Sequence, residues 1–486
     1  MNSMVNKLYI NIILLSLVSL IIIVLQQGEI NRDGILYLTQ AQYFIEGNLD
    51  RAMAEFDWPY FSIMIARLHQ LSGISLQYIA HLINVALFIV ASFFFIKNVS
   101  LVSQNKTPVY FATLILLTSV PLMDDYLGMV LRDHGHWAGF MVGVYCYLRW
   151  IKNPQWSWAL LWQAGFMFGT IFRPECLVYN FLLPLTHQIF VVKTNRLKEF
   201  IQSISIPLVG LLFLPLIFFM FNFSVDTDYL NRLNVLLDRP MHFFHSMQQP
   251  LAIDTQNYYL AKLIANYVTS FKYLFLSYVA AYKWVAGLGL LNLAFFGYAL
   301  KRRQITSPYL RVLCVFFVIS SVITIINLYA TFVISGRYWV MNFWIVYIVS
   351  AIGLSRLFSD VFISKHPHKK SLQYSLIAIL FIYFLSILID KPEKHFEQAA
   401  GEWIKARQLD LNNVFFNSQR GAFYAGQLTI ENVDLNRATT IIQYQYLTIH
   451  YNQFDEIKPI KNYQPIQYFP SQDNPKVIIY KRMKYE

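Results

Sequence analysis

Carboxylates and arginines stand at the ends of several long apolar runs of this sequence, where a charged side chain is unfavourable unless it is solvated, paired or used. Asp33 follows the first run, and Asp133 begins a later one. A carboxylate beside a hydroxyl can take its proton. Arg173 and Arg337 also stand beside apolar runs, and the planar fork of arginine pairs with phosphate oxygens. These residue types could therefore move a group from a phosphate to a hydroxyl.

Further polar residues accompany these four along the chain. They are Tyr37, Arg132, His134, Glu175 and Tyr338. We expect Tyr338 to bind a phosphate together with Arg173 and Arg337, and the other accompanying residues to support the site. All these positions are expected at one membrane depth on one side, which is what a site built from several loops requires.

Each charged residue also has a simpler structural interpretation. Asp33 could cap a helix, because Asp is favoured at that position. Asp133 could form an ion pair with the arginine before it or with Arg173, and Arg173 could pair with Glu175 to fix the turn that holds both. Arg337 could anchor the chain at the membrane boundary, where Arg and Tyr are common.

His134 and His136 raise the question of a metal site. They stand two residues apart, so on a helix they would not share a face, and a zinc site needs three or four converging ligands. We expect interfacial hydrogen bonding from these histidines in preference to metal binding. No cofactor is assigned with certainty, a requirement for a divalent metal stays open, and no glycine-rich phosphate loop is recognisable.

The elements that must position these residues are membrane spans. Of the 486 residues, 14% are charged and 56% are hydrophobic, whereas about a quarter of a soluble domain is charged. Runs such as Leu8–Leu25, Ile204–Phe223 and Leu310–Tyr329 are long enough to cross the roughly 30 Å core of a bilayer as helices. The formal net charge of +12 comes from Lys and Arg between the runs, which favours membrane topology and argues against a nucleic-acid partner.

The predicted fold is mainly α: a polytopic membrane protein of about eleven transmembrane helices with a small extracytoplasmic α/β domain. The predicted spans are 8–26, 78–96, 108–123, 133–150, 156–172, 176–192, 202–223, 284–300, 310–330, 339–355 and 372–389. With a cytoplasmic N-terminus, the short loops on that side are all basic, as the positive-inside bias requires. The three cysteines show no spacing typical of a metal site or a disulfide framework.

We expect a transmembrane catalytic domain over residues 1–389 and an extracytoplasmic α/β domain over residues 390–486. Two large outer loops, 27–77 and 224–283, belong to the first domain. Shorter elements are expected within these pieces. They are helices over Ile35–Gly47, 60–71 and Glu393–Arg407, and strands over Val414–Asn417, Thr439–Leu447 and Val477–Lys481.

Four short motifs together resemble a family of membrane enzymes. The motifs are Asp33-Gly34 with Tyr37 and Trp58-Pro59-Tyr60, Leu131-Arg132-Asp133-His134-Gly135-His136-Trp137-Ala138, Phe172-Arg173-Pro174-Glu175, and Ser335-Gly336-Arg337-Tyr338. Over about residues 1–360 they resemble the GT-C glycosyltransferases, above all the bacterial group related to protein O-mannosyltransferases and to the lipid A aminoarabinose transferase. The specificity of the resemblance comes from the order of the motifs and from the membrane side that they share.

The resemblance implies an inverting transfer of a sugar from an undecaprenyl- or dolichyl-type phosphate to a lipid, glycan or protein acceptor. It implies Asp33 as the catalytic base, Asp133 as the acid of the second loop, and Arg337 as a contact to the donor phosphate. Some relatives carry an Asp-Glu pair in the first loop, whereas a glycine follows Asp33 here. The second carboxylate is therefore assigned among Asp133, Glu46 and Glu55.

This interpretation places the protein in the inner (plasma) membrane as a multi-pass protein among membrane lipids, with its C-terminal domain outside the cytoplasm. Two other functions stay open. A polymerase or ligase of lipid-linked oligosaccharides would use a lipid diphosphate as donor. A transporter or flippase would often show repeated halves and broken helices, and no repeated halves are recognisable in this sequence.

Overall fold

The structure, a computed structural model, describes residues 30–103, 108–190, 196–207, 274–302, 307–331, 335–363, 369–388, 395–427, 444–451 and 460–483. Over these residues the chain is mainly helical and has a small sheet, as the sequence predicts. The helices are α1 (Arg32–Ile45), α2 (Leu49–Glu55), α3 (Tyr60–Ser72), α4 (Leu76–Ser103), α5 (Pro108–Leu117), α6 (Asp133–Lys152), α7 (Trp156–Phe172), α8 (Leu177–Phe190), α9 (Arg196–Ser203), α10 (Leu274–Leu288), α11 (Leu290–Lys301), α12 (Ser307–Thr331), α13 (Val340–Ile363), α14 (Lys369–Leu388), α15 (Phe396–Ala406) and α16 (Gln419–Ala425).

The chain forms two compact units. The described residues of the first unit lie within Asn84–Leu127 and Arg132–Leu388. Those of the second lie within Ile22–Ile83, Gly128–Leu131 and Ile389–Glu486. The second unit thus combines the predicted first outer loop with the predicted C-terminal domain.

Glycines allow α6 and α7 of the first unit to pack closely. A Cβ atom at Gly139 would lie 2.5 Å from the backbone nitrogen of Gly169, and a Cβ atom at Gly165 would lie 2.9 Å from the backbone nitrogen of Gly143. The earlier glycine of α6 meets the later glycine of α7, and the later glycine of α6 meets the earlier one of α7, so the two helices are antiparallel. Small residues four positions apart permit backbones to approach in this way. The start of α6 therefore lies beside the end of α7.

Aromatic rings fill the core around this helix pair. Phe140 of α6 and Phe166 of α7 both contact Tyr179 of α8, with ring centroids 5.1 and 5.0 Å apart. All three rings also contact Phe316 of α12, and all four side chains are buried. Burying one such side chain stabilises a fold by about 1.5–3 kcal/mol. These contacts fix α8 and α12 against the pair.

Within the described residues, three helical segments are long and apolar enough to cross a membrane: Leu76–Ser103, Pro308–Tyr329 and Gly336–Val361. They coincide with three of the predicted spans. The predicted span 8–26 and most of the span 202–223 lie outside the described residues. Membrane association is therefore supported by these three helices, while the count of about eleven stays a prediction.

Other predicted spans form helices that are shorter or less apolar. Helix α5 has 10 residues, a length of about 15 Å, because the chain then enters a π-helical turn at Pro121–Tyr126. Helix α7 has 17 residues, a length of about 26 Å, against a bilayer core of about 30 Å. Hydropathy locates such segments well but does not show where a helix stops.

The predicted span 284–300 is not one straight helix. Helices α10 and α11 meet at Gly289 with a bend of 86°, and the φ angle of Gly289 is +77°. Glycine adopts this conformation readily because it has no Cβ atom. The pair forms a fourth span only if both helices cross the membrane as one broken segment.

In the second unit the first outer loop folds into helices, as predicted. Helices α1 and α3 correspond to the two predicted helices, and α2 is an addition to the prediction. Tyr37 of α1 packs edge-on against Phe61 of α3, with ring centroids 5.3 Å apart. The Gln40 side chain donates a hydrogen bond of 2.7 Å to the carbonyl of Ala52. Aromatic packing and a buried amide thus join all three helices.

The C-terminal part contributes a four-stranded sheet in the order β1-β2-β4-β3. The strands are β1 (Val414–Phe416), β2 (Tyr446–His450), β3 (Tyr463–Phe469) and β4 (Val477–Arg482). Strands β1 and β2 are parallel, and the other neighbours are antiparallel. The predictions of β1, β4 and helix α15 are confirmed. The predicted strand Thr439–Leu447 overlaps β2 only at its last two residues. Residues 439–443 lie outside the described residues, residues 444 and 445 are not in a strand, and β3 is an addition.

A buried carboxylate connects the helices of this part to its sheet. Glu397 of α15 is 2% exposed and accepts hydrogen bonds from Ser418 and from Arg420, the latter at 3.0 Å. His450 of β2 lies 2.9 Å from the same carboxylate. Within the same unit the backbone N–H of Ile30 donates to the Tyr424 hydroxyl at 2.9 Å. The first outer loop and the C-terminal part are thus bonded to each other.

Candidate functional site

An ion pair joins the start of α6 to the end of α7. The Nη1 of Arg173 lies 2.6 Å from the Oδ1 of Asp133, and the two side chains are 10% and 3% exposed. Arg173 directly follows α7 and Asp133 opens α6, so the glycine packing of these helices brings the two residues together. Of the simpler interpretations of Asp133, pairing with Arg173 is therefore present.

Glu175 lies in a short 3-10 turn, Pro174–Cys176, between α7 and α8. Its Oε2 is 3.7 Å from the Nε of Arg173. Burial alone would raise the pKa of the Glu175 carboxyl, but the nearby charges of Arg173 and Arg132 outweigh burial and lower the pKa to about 2. The carboxylate is therefore ionised at neutral pH and balances part of the arginine charge.

The Arg337-Tyr338 pair reaches the same place from a distant part of the chain. Both residues lie in a 3-10 turn, Gly336–Trp339, directly before α13. The guanidinium of Arg173 lies 4.8 Å from the centre of the Tyr338 ring, and that of Arg337 lies 5.4 Å from it, within range for a cation–π contact. The Thr324 hydroxyl donates to the Tyr338 carbonyl at 2.9 Å, so α12 holds this turn in position.

These groups surround a small cavity within the first unit. Arg173, Glu175, Arg337 and Tyr338 line it together with His136, so four of the predicted site residues lie at one cavity. The cavity volume is about 30 Å³, which is room for about two water molecules or one small polar group. A whole sugar ring would have to lie outside it.

The charges around the cavity do not cancel. Two arginines, Arg173 and Arg337, and one carboxylate, Glu175, line it, while Asp133 and Arg132 interact with each other outside the lining. The surplus of one positive charge favours an anionic ligand. Because each carboxylate lies beside Arg173, the site is preassembled around that guanidinium.

Sequence reasoning passed over part of this lining. A polar stripe on α12 contributes Ser320, Thr324 and Asn327, and its spacing of four and three residues within an apolar run is a signal of one helix face. His136 stands three residues after Asp133, so both lie on one side of α6. Tyr126 does not line the cavity but lies beside Gly336, and it carries no recognisable sequence signal. Its hydroxyl would be 2.7 Å from a Cβ atom at position 336, and the glycine there leaves enough space for it.

The predicted residue His134 lies elsewhere in the first unit. Its side chain is fully buried, and its ring packs against Trp137 and Phe88, with centroids 4.7 and 6.4 Å away. The two histidines of the motif therefore point in different directions, as their spacing predicts. Among the described residues no group of three His, Cys, Asp or Glu side chains could hold a metal ion.

Asp33 and Tyr37 belong to the second unit. Asp33 is half-buried in the first turn of α1, and the N-cap of that helix is Asn31. Asp33 is therefore not the capping residue, although an acidic side chain in a first turn still interacts favourably with the helix dipole. Tyr37 is buried against Phe56 and Phe61, so its ring supports the loop. Asn31 instead exchanges two hydrogen bonds with the backbone of Val130.

Comparisons with known proteins give no family assignment: no protein-family model and no curated protein matches the chain.

Proposed function

We propose that this protein is a membrane glycosyltransferase that moves a sugar from a polyprenyl-phosphate donor to a lipid, glycan or protein acceptor on the outer face of the membrane, with inversion. The observation that carries the proposal is the convergence of Arg173 and Arg337 on one small cavity that has surplus positive charge. Arginine suits a phosphate because its fork matches the phosphate oxygens. The motifs that resemble GT-C enzymes supply the remaining support.

The roles of the residues follow from their environments. Arg337, Arg173 and Tyr338 bind the donor phosphate. Asp133 is engaged with Arg173 at 2.6 Å, so we assign it to holding that arginine, and Glu175 shares the task. Asp33 remains the proposed base on the strength of the motif that contains it. No metal ion is required by these assignments, and no protein cofactor is proposed.

The proposal includes the membrane topology that the charge pattern favours. The chain would cross an inner (plasma) membrane about eleven times, with the N-terminus in the cytoplasm and the C-terminal α/β domain outside. Cysteine labelling tests this topology. A cysteine introduced at Asp473, in the exposed C-terminal part, should react with an impermeant reagent in intact cells, and one at Lys97 should not.

The direct test is sugar transfer by the purified full-length protein in lipid vesicles. The donors are polyprenyl-phosphate hexoses and pentoses, the acceptors come from a lipid and glycan extract, and the readout is release of polyprenyl phosphate. We expect release with one donor class, and Asp33→Asn should abolish it in a folded protein. Asp50→Asn, which removes an exposed first-turn carboxylate of α2, is the matched control and should retain activity.

The result separates the parts of the proposal. Absence of release from every donor would reject the glycosyltransferase, and full activity of Asp33→Asn would reject Asp33 as the base. Comparison of glycolipids from cells with and without the gene identifies the product, because one sugar should be missing. Release that occurs only from a lipid diphosphate donor would favour the polymerase or ligase.

The bend between α10 and α11 favours one alternative, a transporter or flippase, because transporters often contain broken helices near their binding site. The bend of 86° is the specific observation. A flippase would move a labelled lipid across the vesicle membrane without changing its head group. Such movement without any released polyprenyl phosphate would replace the proposed enzyme by this alternative.

A further inference from the structure

His136 is a buried polar side chain that faces the cavity. It lies in the first turn of α6, is 6% exposed and lines the cavity beside Arg173 and Glu175. Neither ring nitrogen has a hydrogen-bond partner within the described residues. Its neighbours Arg173 and Asp133 are instead paired with each other at 2.6 Å.

A buried histidine without partners is unusual, because a buried polar group that makes no hydrogen bond is unfavourable by about 1–3 kcal/mol. A neutral imidazole carries one N–H donor and one acceptor nitrogen. The open cavity beside the ring is where a partner can enter. The side chain is therefore suited to form a hydrogen bond with a ligand group that enters this cavity.

The surroundings define which group fits. The cavity volume of about 30 Å³ admits a small group and excludes a sugar ring. The surplus positive charge contributed by Arg173 and Arg337 selects an anion. A phosphate satisfies both conditions, and its oxygens accept hydrogen bonds strongly from neutral and charged donors.

We propose that His136, in the lining of the cavity, donates a hydrogen bond to an oxygen of the donor phosphate, while Arg173 and Arg337 bind the other oxygens. This inference rests on the proposed function and names the phosphate subsite of the same site. In the transfer, the bond between the anomeric carbon and the phosphate oxygen breaks, and its electron pair stays on that oxygen. The acceptor oxygen bonds to the carbon, and its proton goes to the base.

The hydrogen bond from His136 gains strength during this step. The phosphodiester carries one negative charge, and the departing polyprenyl phosphate carries more, so a fixed donor favours the departing form. A neutral imidazole supplies the hydrogen bond without adding a third positive charge to the cavity lining. His136 should therefore contribute both to binding and to the rate.

The experiment measures phosphate binding and transfer with the full-length protein in nanodiscs. The binding probes are inorganic phosphate and a polyprenyl phosphate, each titrated calorimetrically. The variants are His136→Phe, which keeps the ring without nitrogen, and His136→Asn, which keeps an N–H donor. The matched control is His187→Gln, at a buried histidine beside Glu199, away from the cavity lining.

We expect His136→Phe to weaken polyprenyl-phosphate binding about tenfold or more, since hydrogen bonds to charged groups have effects of that size. The value of kcat should fall as well, and His136→Asn should restore part of both. The control should stay within twofold of the parent protein. Circular dichroism and the thermal midpoint establish that every variant is folded.

Each outcome decides a different question. Unchanged binding in folded His136→Phe, together with normal transfer by the parent protein, would overturn the role of His136 and leave the proposed function intact. If the parent transfers no sugar but binds inorganic phosphate through His136, the subsite stands and the glycosyltransferase fails. If neither phosphate binds, the subsite is wrong. If His136→Phe is not folded, His136→Leu takes its place as the variant without a donor: weakened binding in it, with binding partly retained in His136→Asn, would support the role, and unchanged binding in it would overturn the role.

Discussion

Replacing Asp133 by Asn separates a structural role of this carboxylate from a chemical one. The Asp133–Arg173 pair has a 2.6 Å contact between side chains that are 3% and 10% exposed. Removing one partner of such a buried pair costs about 3–5 kcal/mol of stability, because the other charge is left uncompensated. Asparagine retains an acceptor oxygen, and Glu175 lies 3.7 Å from Arg173. We therefore expect a loss near the lower limit, about 3 kcal/mol.

The assay is denaturant unfolding of the purified protein, which gives the free energy of unfolding. The double variant Asp133→Asn with Arg173→Gln should lose less free energy of unfolding than the sum of the losses in the two single variants, by about 1–3 kcal/mol. Arg356→Gln is the matched control. This substitution breaks the ion pair between Arg356 and Asp360, whose two side chains are 46% and 26% exposed. The variant should lose less than about 1 kcal/mol of unfolding free energy.

Two results would refute this reasoning. Additive effects in the double variant would mean that the two charges do not interact as their distance requires. A fully stable Asp133→Asn protein with no transfer activity would show that Asp133 acts on the substrate instead of holding Arg173. If Asp133 holds Arg173, the transfer activity of Asp133→Asn should decline mainly through a higher KM, because the phosphate-binding arginine is displaced.

Three further predictions concern packing, pH and the C-terminal part. Gly139→Ala should destabilise the protein by about 1–3 kcal/mol in denaturant unfolding, because the new Cβ atom would meet the Gly169 backbone at 2.5 Å. Glu175 has an ordinary pKa of 4.5 when unfolded and about 2 when folded, so its stabilisation is complete above pH 4.5 and disappears as the pH falls to 2. A Glu175→Gln variant should therefore show a smaller loss of stability over that interval. Glu397→Gln should destabilise the second unit by about 1–3 kcal/mol, measured as faster proteolysis, because three side chains share that carboxylate.

The controls for these predictions come from the same chain. Gly297→Ala lies in α11 with no atom within 4 Å of its new Cβ, so it should be neutral or stabilising by up to about 1 kcal/mol; an equal effect of both alanines would contradict the packing argument. Identical pH profiles of Glu175→Gln and the parent would contradict the pKa argument. Glu402→Gln, on the exposed face of α15, should leave proteolysis unchanged, and a similar change in both variants would contradict the role of Glu397.

Much of the site is predictable because apolar runs and charges carry positional information. Charges at the ends of runs on one side of a membrane have to share a depth. That constraint grouped Arg173, Glu175, Arg337 and Tyr338, and these four residues line one cavity. It did not show which of His134 and His136 faces the cavity, since that depends on how α6 packs and not on its depth.

The sequence by itself determined the helical class, the three apolar segments that can span a membrane and the residue types that gather at their ends, because hydropathy and charge act locally along the chain. The tertiary structure decided the rest. Whether Asp133 meets Arg173 depends on glycines on two helices that pack backbone to backbone, and the bend at Gly289 depends on one backbone angle. The first feature arises from contacts between segments far apart in sequence, and the second from a backbone conformation that a glycine permits but does not require.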